Sequence, residues 1–60
     1  MFALSYKGEI NDENVYDTFE EAERAREEEI RDVCREDARD GCYSKRREAF
    51  YWRALQVVEL

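Results

Sequence analysis

Seven carboxylates fall between Glu9 and Glu23 with no basic residue among them: Glu9, Asp12, Glu13, Asp17, Glu20, Glu21 and Glu23. Such a density of acids offers three kinds of chemistry: proton transfer, ligation of a hard cation, or capture of a basic surface by charge. Proton transfer needs a walled pocket that moves a carboxyl away from its ordinary pKa, and sixty residues are too few to build one. There is no histidine to serve as a base near neutral pH. Ser5 and Ser44 lack a nucleophile context, and no glycine-rich phosphate loop is present. The run Asp12-Glu13-Asn14 lacks the ligand number and the glycine of a calcium loop. Two cysteines without histidine cannot complete a four-ligand zinc site. The expectation is a protein that is not an enzyme and holds no cofactor or metal. Charge complementarity is the chemistry that remains.

A second acidic row, Glu28, Asp32, Glu36 and Asp40, recurs every four residues. On a helix that spacing draws one line of charges about 6 Å apart, close to the spacing of phosphates on a strand, and invites a reading as nucleic-acid mimicry. Arg31, Arg35 and Arg39 each follow one of these acids by three residues. A solvated, salt-bridged face therefore explains both rows, each pair contributing about 0.3 kcal/mol. The Glu9–Glu23 block has no such internal answer, since Arg24 and Arg26 only border it. A helix start accounts for Glu20, Glu21 and Asp17, but leaves Glu9, Asp12 and Glu13 without a capping role.

Composition narrows the partners. The formal net charge is −6, made of +1 in residues 1–8, −9 in residues 9–40 and +2 in residues 41–60. Direct nucleic-acid binding requires a basic face that releases counterions, and the one basic cluster, Lys45-Arg46-Arg47, reads as a solvated turn. Eight aromatic residues, no proline and two glycines describe a folded chain rather than a disordered one. No apolar run approaches the ~20 residues of a membrane span, and the apolar stretch at the N-terminus is too short for a secretory signal. With no cysteine framework, a cytoplasmic setting is expected (the host cytoplasm if the chain is phage-encoded). Cys34 and Cys42 bracket a helix end, too far apart for the ~7 Å that a bridge allows. Cys34 reads as a small buried hydrophobe, with an intermolecular bridge as a minor alternative.

The elements that would position these acids follow from periodicity. Phe2, Leu4 and Tyr6 alternate with Ala3, Ser5 and Lys7, the period of a half-buried strand. Asn11-Asp12-Glu13-Asn14 reads as a turn, with Val15 and Tyr16 as a short returning strand. Thr18 with Glu21 forms a capping box, and the pattern runs unbroken to Asp40, with Gly41 placed to end it. The result is one helix of about 22 residues. Its apolar side, Phe19, Ala22, Ile30, Val33 and Cys34, is interrupted by Arg26 and Asp37. Residues 49–60 favour a strand, from Phe50, Tyr51, Trp52, Val57 and Val58. A helix from Ser44 is the alternative. As a strand, Trp52, Ala54, Val58 and Leu60 would face the core, and Tyr51, Leu55 and Val57 would form a second apolar face for dimerisation or docking.

The fold expected is a single α+β domain over residues 1–60: an N-terminal strand or hairpin, one long acidic helix and a C-terminal strand. The helix would lie on one face of a small sheet. The function expected is that of a small acidic binding protein that inhibits or modulates a basic, nucleic-acid-handling protein, with Glu9, Asp12, Glu13, Asp17, Glu20, Glu21, Glu28 and Asp32 in contact. Small size, dense charge and arginine over lysine are common in accessory proteins of phages and mobile elements. The alternative is a structural or regulatory homodimer whose acids serve solubility. Neither reading involves a membrane or a small-molecule substrate.

Overall fold

Gly8 does more than end the first strand. Lys7 at φ 52° and Gly8 at φ 88° form the two-residue reversal of a hairpin, both at positive φ as a type I′ turn requires. In a computed structural model describing residues 1–60, this turn joins β1 (Phe2–Tyr6) to β2 (Glu9–Tyr16). Next come α1 (Phe19–Arg39), α2 (Lys45–Ala54) and β3 (Leu55–Glu59). The three strands form one antiparallel sheet in the order β2-β1-β3. The architecture is α+β, with the long helix on one face of a small sheet, as the periodicity predicts.

Register decides which side chains meet α1. Phe2 pairs with Tyr16 and Glu59, Leu4 with Asn11 and Val57, and Tyr6 with Glu9 and Leu55. Opposed residues share a face, so Phe2, Leu4, Tyr6, Tyr16, Leu55 and Val57 lie toward the helix. The other face carries Ala3 opposite Val58, and Ser5 opposite Ile10 and Gln56, and none of these residues lines the space between the sheet and α1. Ala3 and Ser5 are buried even there, because both are small and stand in the central strand between two flanking strands. The apolar core is minimal: Ala3, Ala22, Ile30 and Leu55.

Three expectations are corrected. The reversal expected at Asn11–Asn14 is made at Lys7–Gly8 instead. The Asn11 side chain still bonds its own backbone, accepting from the Glu13 N–H at 3.2 Å, but this bond shapes an irregularity within β2. Residues 45–54 are helix, the alternative reading, because Ser44 accepts the Arg47 N–H at 3.1 Å and caps a new helix. Their aromatic content serves packing against α1 rather than a pleat. The two faces of β3 are also exchanged. Leu55 is buried and Val57 half-buried on the helix side, while Val58 and Leu60 belong to the open face. Pairing of Leu55 with Tyr6 and Val57 with Leu4 forces that outcome. Tyr51, being helical, is not on either face of β3.

α1 forms as its caps dictate. The Thr18 hydroxyl accepts the Glu21 N–H at 3.2 Å. At the other end Gly41 takes φ 74°. The Cys42 N–H then reaches the Asp37 carbonyl, and the Gly41 N–H the Ala38 carbonyl, a Schellman closure that only a residue tolerant of positive φ permits. The two charges that interrupt its apolar stripe tie α2 to it. Arg26 donates to the carbonyls of Trp52 (2.5 Å) and Leu55 (2.6 Å), and its guanidinium lies 4.9 Å from the Trp52 ring centre. Asp37 accepts from the Tyr51 hydroxyl at 2.8 Å and from Arg47 at 3.3 Å. No helix is long and apolar enough to cross a membrane.

Candidate functional site

β2 carries three residues more than its partner needs. Between the pairs Phe2–Tyr16 and Leu4–Asn11, β1 advances two positions (4 − 2) and β2 five (16 − 11), so three extra residues bow out of the ladder. A bulge of this kind bends the strand and re-aims its side chains. Here it accompanies a cleft of about 510 Å³ between the bulge and α1. Leu4 and Leu55 from the sheet, with Ile30 and Val33 from the helix, form its apolar part. Tyr6, Tyr16 and Tyr51 contribute rings, Asn11 and Asn14 come from β2, and Glu28, Glu29 and Asp32 stand on the α1 side. No lysine or arginine lines it.

The predicted contact residues divide around this cleft. Glu28 and Asp32 line it, while Glu9, Asp12 and Glu13 are exposed along β2. Asp17, Glu20 and Glu21 are exposed where the chain enters α1. β2 is an edge strand, so its acids also keep foreign strands from pairing with it. Of the predicted docking residues, Tyr51 and Leu55 line the cleft, and Val57 shares the helix-side face with Leu55.

Few of the acids have a cation. Three salt bridges exist: Arg26–Glu23 at 2.6 Å, Arg35–Asp32 at 3.7 Å and Arg47–Asp37 at 3.3 Å. The arginine row therefore answers one of its three acids, and that pair is exposed at both ends, where an ion pair contributes little. Glu48 is held by hydrogen bonds instead. Twelve of the sixteen carboxylates have neither kind of side-chain partner. They are dispersed, and no group of three or more metal-ligating side chains converges.

The groups with shifted acidity lie away from the cleft. Hydrogen bonds from the Tyr43 hydroxyl (2.5 Å) and the Trp52 indole (3.3 Å) favour ionised Glu48 and lower its pKa. The bond to Glu48 also raises Tyr43. Partial burial, with the nearby charges of Glu48 and Asp37, pushes the thiol of Cys34 up, and Cys34 is half-buried rather than buried as expected. Cys34 and Cys42 are separate thiols. Lys45, Arg46 and Arg47 occupy the first turn of α2, where Asp37 and Tyr51 hold Arg47.

Sequence reasoning named the acids of this surface but missed the aromatic half of the cleft. Tyr6 shares the Leu4 face by strand alternation, whereas Tyr16 reaches it only through the three-residue bulge, since the register set at Lys7–Gly8 would otherwise pair Phe2 with Glu13. No protein family, no curated protein and no solved structure gives a significant match to this chain.

Proposed function

We propose that this chain is a small acidic, non-enzymatic binding protein that inhibits or modulates a basic partner, of the kind that handles nucleic acid, by charge complementarity. The observation that carries this reading is the set of twelve carboxylates without a side-chain partner. An acidic surface that folding leaves unneutralised attracts basic surfaces and occupies lysines and arginines that otherwise meet phosphate.

The test is the joint replacement Glu9→Gln, Asp12→Asn, Glu13→Gln and Asp17→Asn. All four residues are exposed, so the circular dichroism spectrum should not change. At roughly 0.2–1 kcal/mol for each exposed pair, affinity for a partner recovered from host lysate should fall about fourfold or more. Its dependence on salt should weaken in parallel. An affinity within about twofold of the parent would end the electrostatic mechanism.

One observation favours the second reading, a homodimer. The sheet face turned away from that cleft carries Met1, Ile10, Gln56 and Val58 around the buried Ala3 and Ser5, none of these charged, in a chain where 43% of residues are charged. Leu60 joins it, because its N–H bonds the Met1 carbonyl at 2.8 Å. Met1, Ile10 and Leu60 are each more than half exposed (64%, 53% and 56%). Sedimentation at rising concentration decides the matter. A dimer that Val58→Asp dissociates supports this reading, and a monomer throughout rejects it.

A further inference from the structure

We propose that the cleft between β2 and α1 receives an arginine side chain from the basic partner. This inference rests on the binding reading above and names the partner group that the cleft fits. The cleft combines apolar Ile30 and Val33, the rings of Tyr6 and Tyr16, and the carboxylates of Glu28 and Glu29 on the α1 side. Arginine matches each of these parts. Its three-carbon stem packs on apolar surface, and its planar guanidinium stacks on aromatic faces and donates in pairs to carboxylates. Lysine shares the charge but not the plane. Asp32 lies 3.7 Å from Arg35, so the charge free to meet an incoming cation is that of Glu28 and Glu29.

The molecule already holds an arginine in this manner. Arg26 lies 4.9 Å from the Trp52 ring centre, contacts Glu23 at 2.6 Å and keeps its side chain only 15% exposed. The cleft offers the same pairing of ring and carboxylate with no lysine or arginine in its own lining. Its volume of about 510 Å³ falls within the ~300–1,000 Å³ of small-ligand sites. That is more than a guanidinium fills, and leaves room for the stem and the adjoining backbone. The occupant is therefore a residue carried on a protein rather than a free cation.

The experiment is an NMR titration of the ¹⁵N-labelled chain with a capped pentapeptide bearing one central arginine, beside its lysine and citrulline counterparts and free methylguanidine. The expected result is amide shifts concentrated at Tyr6, Tyr16, Glu28 and Glu29, with affinity in the order arginine, lysine, citrulline. The double variant Glu28→Gln/Glu29→Gln should bind the arginine peptide about tenfold more weakly. Glu36→Gln/Asp40→Asn, which removes the same charge at the far end of α1, should bind as the parent does. All four residues are exposed, so both variants fold. Equal loss in the two variants, or shifts spread over residues 9–23, would overturn the cleft while leaving the acidic-surface reading standing. Absence of shifts with every peptide would overturn the cleft too, and the acidic surface would still be judged by its own amide variant. Tighter binding of methylguanidine than of the peptide would make this a small-cation site and overturn the protein-borne occupant.

Discussion

Arg26→Ala is expected to lower the melting temperature by about 24 °C, the effect of roughly 3 kcal/mol on a domain of this length. Two carbonyls, those of Trp52 and Leu55, accept from this guanidinium where α2 gives way to β3, and without it the Trp52 carbonyl keeps only the Gln56 amide at 3.3 Å. Hydrogen bonds to a charged group contribute about 1.5–3 kcal/mol. The stacking on Trp52 goes as well. Lysine should not rescue the variant, since one ammonium cannot serve carbonyls and a carboxylate in the geometry of the fork. Arg24, exposed and outside every salt bridge, is the control, and its alanine variant should stay within about 0.5 kcal/mol of the parent. Thermal melts followed by circular dichroism decide it. Equal melting of the two variants would mean that Arg26 does not join the layers.

Ile30→Ala should leave the chain largely unfolded at 37 °C. Ile30 is 2% exposed and is the largest fully buried side chain, so truncation removes about 2–5 kcal/mol. A core of this size supplies only about 3–5 kcal/mol in all. The milder Ile30→Val should cost about 0.5–1.5 kcal/mol and remain folded. Denaturant titration of the three proteins gives the series. A nearly unchanged midpoint for Ile30→Ala would show that the neighbouring cleft lets the helix settle onto the sheet and close the space.

How much of this was legible depended on whether the signal was local. α1 was readable nearly to the residue, because Thr18 and Gly41 mark its ends through bonds made within a few residues of each. The interruptions at Arg26 and Asp37 were visible as well, but their purpose was not. It depends on Trp52, Leu55, Tyr51 and Arg47, which only the fold brings to them. The last segment misled for a related reason. Phe50, Tyr51 and Trp52 suit a strand by intrinsic preference, yet the cap at Ser44 and contacts with α1 override it. Placing the hairpin four residues late also hid the cleft, because the bulge that brings Tyr16 to the helix side lies in the segment read as the turn. The acids themselves were plain in the sequence. Their lack of partners was not, since the regular arginine spacing promised bridges that two of three pairs do not make.

The sheet order has a consequence for how the chain comes together in time. The central strand is the first made and one of its two neighbours is the last. The hairpin and α1 are built from near contacts and form early, whereas β3 must return across both helices to pair with β1, the slow kind of closure. During synthesis β1 therefore waits with one edge bare until Glu59 has emerged, and a bare edge recruits other chains. Slow elongation through α2 would lengthen that interval, so the yield of soluble protein should depend on translation speed over residues 45–54 more than over residues 19–39.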